Sequence, residues 1–250
     1  SFTASIVVST LNKLFPSYGE RALDTPIRQL APNYNFTVGD RFRSESITFR
    51  DILSHRTCMA PEVLGGITNP YNGSKDFLFR QRYAPEQCGF RTNYVYNGII
   101  HMAADIIADM SNSTVEEMLS NFLNQLGMTD TTWIKDTDDH NSMPDRSVPY
   151  YKSDGFLRRF NPELLKVVKI GIGAGGLLSS ARDMARYMQF HLNRGTLDGV
   201  ELVPAEGMDW LYKPSNLMFA DAIYDANDIE NRYASGLGLH LGLFNGNLFN

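Results

Sequence analysis

The sequence has no long apolar run and no concentration of charge of one sign. No stretch of its 250 residues approaches the roughly 20 apolar residues that a bilayer span requires, so no membrane segment is predicted. The formal net charge is −5, and acidic and basic residues are interspersed, which leaves no basic stripe for nucleic acid. Hydrophobic residues make up 43% of the chain, which is enough for a sizeable globular core.

Cysteine is also scarce, because Cys58 and Cys88 are the only two. Two cysteines can form a disulfide or remain as buried thiols, and both readings stay open at this point. Asn-x-Ser/Thr sequons at Asn35, Asn72 and Asn112 are candidate glycosylation sites. These residues leave the localisation open, with an extracellular or lumenal compartment favoured.

The chain opens within a helical pattern. Residues 1–15 place apolar side chains at the spacing of one helix face, and no methionine, capping residue or leader precedes them. We therefore expect the sequence to be a fragment of a longer protein.

The most regular stretch, residues 89–107, leads from a turn into an apolar helix. From Ile99 onward, apolar residues recur three, four and seven positions apart, which predicts one buried helix face. Tyr96 and Asn97 stand just before this helix, where a rigid element can hold a phenol at a cleft and the helix N-terminus favours negative charge. Tyr96 is therefore a candidate catalytic residue. The alternative is a structural aromatic side chain that packs where the helix starts.

Capping residues indicate further elements. Thr48 is placed to cap a short helix, Ser113 or Thr114 to open another with a capping box, and Ser180 to start a third. From Tyr233 the sequence alternates small and apolar residues, which predicts a sheet strand.

Glycines at Gly171, Gly173 and Gly176 have the spacing of a dinucleotide-binding loop. The next helix is capped four residues after Gly176, so its N-terminus would not point at a pyrophosphate held by these glycines, and no βαβ alternation surrounds them. A tight, closely packed chain crossing is the favoured interpretation, and no cofactor is predicted.

An acidic loop follows the middle of the chain, at Asp136, Asp138, Asp139 and His140. Its spacing fits no calcium loop and lacks the required glycine, so a solvated loop is favoured and no metal site is predicted. His55 and Arg56, at the end of the helix that Thr48 caps, are expected to bond to local backbone carbonyls rather than to do chemistry.

Six stretches, taken together and in chain order, resemble the serine β-lactamase and penicillin-binding-protein superfamily, especially class C β-lactamases and related esterases and peptidases. They are SFTASIV, LDTPIRQLAP, ITFRDILSHRTC, LNQLGMTDTTW, GAGGLLSSARDMARYM and YASGLGLHLG. The first resembles the segment that follows the family's Ser-x-x-Lys, and the last resembles its YGLGW strand.

In that family a serine attacks an acyl group, a lysine three residues later assists it, and the tyrosine of a Tyr-x-Asn motif transfers protons. The resemblance implies an α + α/β fold in which residues 1–232 are mostly the helical part and residues 233–250 the first returning strand. It also implies a serine hydrolase acting on an ester, amide or β-lactam, with Tyr96 as a catalytic residue and Asn97 as a substrate-binding amide. The partner would be a small-molecule or peptide-like acyl substrate.

The sequence departs from the family pattern at several places. Ser-x-x-Lys is absent, and by register its lysine would directly precede Ser1, so the nucleophile is expected outside these residues. Gly98 stands where the tyrosine motif ends in asparagine. His240-Leu241-Gly242 has the letters of the family's substrate-binding strand, but it lies in the strand that precedes that motif and is not expected to be it. Cys58 stands where the family tends to have glycine, which favours a disulfide with Cys88.

These departures motivate a second hypothesis from a different class. A relative that lacks the catalytic motifs would serve as a binding or scaffold protein.

Overall fold

The computed structural model describes residues 1–60, 72–133, 145–160, 171–218, 230–244 and 247–249. Its α-helices are α1 (Phe2–Leu14), α2 (Ile27–Leu30), α3 (Arg41–Ser46), α4 (Phe49–Leu53), α5 (Ser74–Arg80), α6 (Ile100–Met110), α7 (Val115–Gln125), α8 (Ala181–Leu192) and α9 (Ala205–Leu211). Short 3-10 helices cover Gly19–Asp24, Pro32–Tyr34 and Gln81–Tyr83.

The strands form small antiparallel sheets. They are β1 (Thr132–Trp133), β2 (Tyr150–Ser153), β3 (Phe156–Arg159), β4 (Leu177–Leu178), β5 (Thr196–Leu197), β6 (Val200–Glu201), β7 (Asn216–Leu217), β8 (Glu230–Ser235), β9 (His240–Phe244) and β10 (Asn247–Phe249). A four-stranded sheet has the order β10-β9-β8-β7, while β1 pairs with β4, β2 with β3 and β5 with β6.

α1 lies at the centre of the hydrophobic core. Val7, Val8 and Leu11 on its inner face are fully buried, and the helix packs against α6, α7 and α9. At its start, the ring of Phe2 stacks on Tyr187 of α8 with centroids 4.0 Å apart. Removing this apolar surface from water is the main stabilisation of the helical part.

The predicted helix starts at Thr48, Thr114 and Ser180 are confirmed. Each side chain accepts a hydrogen bond from the backbone N–H three residues later, and the two threonines form complete capping boxes. These bonds satisfy N–H groups that are otherwise unpaired at the start of a helix.

The single strand predicted from Tyr233 is wrong, because the chain turns back there as the β8–β9 hairpin. Gly236 packs so closely that an added Cβ would lie 2.2 Å from the Leu211 carbonyl oxygen, and Gly238 has a left-handed φ of +66°. Docking of this turn on the end of α9 is a tertiary contact that side-chain alternation does not reveal. The boundary predicted between residues 232 and 233 falls within β8 and stays a prediction.

Cys58 and Cys88 form a disulfide, with Cα atoms 5.2 Å apart. The pairing that the family resemblance favoured is therefore present. It closes a loop with a sequence separation of 30 that ends just before the Tyr96 stretch.

Opening this disulfide is expected to lower the free energy of unfolding by about 3 kcal/mol, because the released loop gains conformational freedom in the unfolded chain. Urea denaturation with and without reductant measures the change. The Cys58→Ser/Cys88→Ser double variant is the control, since reductant should not affect it. A wild-type unfolding curve that is the same in both conditions would contradict the prediction.

Within the described ranges, no helix has both the length and the apolar character needed to cross a bilayer. Groups of His, Cys, Asp or Glu that could hold a metal ion are also absent from that part of the chain. The acidic loop at Asp136, Asp138, Asp139 and His140 lies outside the described residues.

Candidate active site

Tyr96 lies on the surface of the loop that precedes α6. It is 60% exposed, and its ring packs on His55 with centroids 4.6 Å apart. In the part of the chain that the structure describes, the Tyr96 hydroxyl makes no hydrogen bond. The first turn of α6 is closed by the His101 N–H, which donates to the Gly98 carbonyl at 3.1 Å. The phenol is therefore anchored next to a rigid helix and open to an approaching molecule.

His55 holds this loop with both its backbone and its ring. Its carbonyl accepts the Val95 N–H at 2.9 Å, and its Nδ1 accepts the Asn97 N–H at 3.4 Å. The expectation that His55 bonds to local carbonyls is therefore wrong, because the ring faces a loop that is distant in sequence. Burial lowers the pKa of His55 to about 4, with smaller effects of His240 and the Ser1 amino group in the same direction. At neutral pH the ring is neutral, which leaves Nδ1 free to accept.

A second phenol and a second histidine complete the cluster. The Tyr94 hydroxyl and His240 Nε2 are 3.1 Å apart, and the Tyr94 ring meets the His55 ring at a centroid distance of 5.5 Å. Burial, followed by the neighbouring Tyr96, raises the pKa of Tyr94 to about 12, so this phenol stays protonated. We call Tyr94, Tyr96, His55 and His240 the Tyr-His cluster. His240, at the start of β9, was not expected in the site, and the structure brings it there.

Asn97 is buried beneath the loop, and its side chain bonds to the protein itself. Its Nδ2 donates to the Met59 carbonyl at 3.2 Å and lies 3.4 Å from the Thr57 hydroxyl, while its Oδ1 accepts the Ile99 N–H at 3.3 Å. In this conformation the amide positions the loop. Its predicted contact with substrate stays a prediction.

Gly98 stands where the family motif has an asparagine, and close neighbours do not force glycine at this position. An added Cβ would meet only the Phe77 ring, at the ordinary contact distance of 3.8 Å. Position 98 therefore has room for a Cβ atom.

Asp51, a buried residue of α4, forms ion pairs that connect this helix to the loop that carries Tyr96. Its carboxylate is fully buried and accepts from Arg56 Nε at 2.6 Å and from Arg91 Nε and Nη2, both at 2.8 Å. The same carboxylate accepts the backbone N–H of Thr48 at 2.9 Å. Arg56 thus bonds to a carboxylate as well as to the Ser215 carbonyl, at 3.0 Å, rather than to local carbonyls alone as predicted.

Asn216, on the edge strand β7, was missed in the sequence. Its Nδ2 donates to the Ser54 carbonyl at 3.1 Å and lies 3.4 Å from the His55 carbonyl and 3.5 Å from the Asn93 carbonyl. It therefore links the end of α4, the Tyr96 loop and the sheet. No motif marks it in the sequence, since its partners lie more than 100 residues away.

The loop at residues 171–176 packs against α6 rather than opening toward a ligand. The Gly173 N–H donates to His101 Nδ1 at 3.0 Å, and the Gly173 carbonyl accepts the Thr3 hydroxyl. An added Cβ at Gly173 would lie 2.6 Å from the Ala104 Cβ. This is the closely packed crossing favoured from the sequence, and the Gly173 backbone groups are already bonded rather than available to a phosphate.

Acidification is expected to destabilise the fold through its buried histidines. Burial lowers the pKa of His55, His101 and His191 from the usual 6.5 to about 4. Between these two values the unfolded chain binds protons that the folded chain does not, so stability is lost as the pH falls through this window. For fully buried His55 and His101 the loss at about pH 5, relative to about pH 7.5, is roughly 2 kcal/mol each.

Urea denaturation at these two pH values measures the effect. The His101→Gln variant keeps a hydrogen-bonding side chain but cannot titrate, so about 2 kcal/mol of the pH dependence should disappear in it, whatever its stability at neutral pH. Equal pH dependence in the variant and the wild type would contradict the assignment.

A helical core beside a small antiparallel sheet, with a tyrosine-bearing loop clamped between them, defines a domain of the β-lactamase and penicillin-binding-protein class. The family profile described as Beta-lactamase matches residues 16–238, which is most of the chain. The chain belongs to this family, and the predicted resemblance is confirmed.

Several individual relatives are similar to the chain. It is 27% identical over 199 residues to the unguisins hydrolase ungD' of Aspergillus campestris (strain IBT 28561), a match that covers 78% of this chain and 36% of that protein. The octameric penicillin-binding protein homologue from Pyrococcus abyssi superposes with a TM-score of 0.66 at 20% identity, covering 96% of this chain and 52% of that one. The D-amino acid amidase from Ochrobactrum anthropi SV3 superposes with a TM-score of 0.63 at 19% identity. This match covers 96% of this chain and 64% of that one.

These likenesses confirm the predicted α + α/β architecture. The chain spans about a third of the length of the curated relative and about half of the Pyrococcus structure.

Proposed function

We propose that this chain is the tyrosine-bearing part of a serine hydrolase that cleaves an amide, ester or β-lactam bond through an acyl-enzyme. Its nucleophile and lysine would lie outside the 250 residues. The observation that carries the proposal is the exposed Tyr96 side chain, whose hydroxyl makes no hydrogen bond among the described residues and which the sequence resemblance aligns with the family tyrosine.

Tyr96 would carry protons. The serine Oγ attacks the carbonyl carbon and gives its proton to the phenolate oxygen, which passes it to the leaving nitrogen or oxygen as that bond breaks. Water then attacks the acyl-enzyme and gives its proton to the phenolate oxygen, which returns it to the serine Oγ. Because the pKa of free tyrosine is about 10, a nearby cation must favour the phenolate.

The start of α1 supports this arrangement. A Cβ added at Gly238, in the turn that leads to His240 of the Tyr-His cluster, would lie 3.5 Å from the N and Cα atoms of Ser1. A lysine preceding Ser1 would therefore start beside the turn that leads to His240. The chemistry needs only side chains and water.

An amide is the favoured substrate class. One relative is named as a hydrolase of unguisins, and another is a D-amino acid amidase solved with L-phenylalanine amide. A small-molecule or peptide-like amide is therefore the first acyl substrate to test.

The test uses the parent protein, extended upstream to include the family serine and lysine. We expect it to hydrolyse an amino acid nitroanilide, a short-chain nitrophenyl ester or a chromogenic cephalosporin, and a serine-directed covalent probe to label it and stop turnover. Replacing the upstream serine by alanine should abolish both signals, and the 250-residue chain should give neither. A folded parent with no turnover and no labelling would overturn the proposal.

A catalytically inactive binding or scaffold protein is the second candidate. Gly98 favours it, because glycine stands where the family motif has an asparagine although a Cβ added there would meet only the Phe77 ring. A parent sequence without Ser-x-x-Lys upstream of Ser1 would support this candidate and exclude the hydrolase.

We further propose that the protein is glycosylated in an extracellular or lumenal compartment. Asn35, Asn72 and Asn112 are all exposed, and a disulfide is stable where the environment is oxidising. Protein from a secretory host should lose mass on N-glycosidase treatment. Each Asn→Gln variant lacks one glycan, so its loss of mass should be smaller by the mass of that glycan. An unchanged mass would contradict the proposal.

A further inference from the structure

A cavity of about 310 Å³ lies beside the middle and the end of α6, apart from the Tyr-His cluster. Its walls come from the segment at residues 33–37, from α5 with the 3-10 turn that follows it, and from α6. Asp105 and Asp109 contribute carboxylates from α6, while Lys75 and Arg82 contribute cations from the α5 side. Side chains of both charges thus line one small space.

These opposite charges do not neutralise one another. Among the described residues, no ion pair within 4.0 Å joins Lys75 or Arg82 to Asp105 or Asp109. Lys75 is exposed and makes no hydrogen bond or ion pair within that part of the chain. Among the described residues, the cavity therefore presents charges of both signs that are not joined in ion pairs, and a ligand that carries both charges would complement them.

Two of the charged groups are held in place by neighbours. The Tyr34 hydroxyl donates to Asp105 Oδ2 at 2.5 Å, which leaves the second oxygen of that carboxylate available. The Arg82 guanidinium stacks 3.8 Å from the Phe79 ring centroid, and its Nε donates to the Phe79 carbonyl at 2.9 Å. Groups that are already oriented lose less conformational freedom when a ligand binds.

The remaining wall is apolar. Leu78, Phe79 and Met102 line the cavity between the charged groups. Its volume lies at the lower end of the range of roughly 300–1,000 Å³ that is usual for small-molecule sites. The space therefore suits a short molecule with an apolar group and a charge at each end.

We propose that this cavity binds a zwitterion, such as an α-amino acid or a short peptide with free termini. The ammonium group would lie against Asp105 and Asp109, the carboxylate against Lys75 and Arg82, and an apolar side chain against Met102. The binding site does not depend on the hydrolase function, because it shares no residue with the Tyr-His cluster.

Isothermal titration of the 250-residue chain with leucine, phenylalanine and their dipeptides tests the proposal. The protein is made without N-glycans, because Asn35 lines the same cavity. We expect saturable binding of at least one zwitterion, and at least about tenfold weaker binding of its N-acetyl and amide derivatives, each of which lacks one charge. Comparison of amino acids with dipeptides shows whether free amino acids or peptide termini are the ligand.

Variants locate the site. Asp105→Asn keeps an oxygen for the Tyr34 hydroxyl, and Lys75→Met keeps the apolar stem, so both should fold and bind at least about tenfold more weakly. Glu45→Gln and Lys152→Met change the same charges at exposed positions that do not line the cavity and should bind like the wild type. Absence of saturable binding at millimolar ligand, or equal affinity in all four variants, would overturn the proposal.

Discussion

On the proposed hydrolase function, replacing Tyr96 with phenylalanine is expected to lower kcat/KM of the upstream-extended protein by about two to four orders of magnitude, the usual contribution of a positioned proton-transfer group. Stability should not change, because the Tyr96 hydroxyl has no hydrogen bond in the described part of the chain. The phenyl ring would keep its contact with His55. Kinetic assays together with urea denaturation separate the loss of chemistry from a loss of folding.

Tyr94→Phe is the matched control, since it removes a second phenol from the same cluster. That hydroxyl is hydrogen-bonded to His240, and its raised pKa keeps it protonated, so it does not supply the phenolate that takes a proton from serine. We therefore expect a change of only a few fold. If Tyr94→Phe abolished turnover and Tyr96→Phe did not, the roles of the two phenols would be exchanged. If neither variant changed turnover, the catalytically inactive relative would be favoured.

Local chemistry made several elements predictable. Ser180 caps α8 because its hydroxyl accepts a backbone N–H three residues later, a bond between neighbours in sequence. The position of Tyr96 just before α6 was predictable because the apolar helix pattern starts at Ile99, and its catalytic role stays a prediction. Such signals need no knowledge of how distant segments meet.

The contacts that hold the Tyr96 loop in place could not be predicted in the same way. Asp51 and Arg91 are 40 positions apart, and Asn216 is 161 positions from His55. The sequence shows charged and amide residues at these positions, but their partners are decided only when α4, the loop and the sheet are packed together. The burial that makes His55 an acceptor of the Asn97 N–H is likewise a tertiary effect.

Asp51→Ala is expected to lower the free energy of unfolding by about 3–5 kcal/mol, the usual result of removing one partner from a buried ion pair. The substitution leaves the Arg56 and Arg91 guanidinium groups without their shared carboxylate and removes an acceptor from the Thr48 N–H. Glu45→Ala, which breaks an exposed ion pair with Arg41, should leave the free energy of unfolding nearly unchanged, because solvent screens the pair. Urea denaturation of the two variants measures the contrast.

Asp51→Asn distinguishes charge from shape at the same site. An amide can still accept the Thr48 N–H, but it cannot neutralise two arginines, so most of the loss in stability should remain. Because Arg91 belongs to the segment that leads to Tyr96, the proposed hydrolase function predicts that the upstream-extended protein also loses kcat through poorer positioning of the phenol. An Asp51→Asn protein as stable and active as the wild type would show that the ion pairs neither stabilise the fold nor hold the loop, and that the disulfide and His55 are sufficient to position Tyr96.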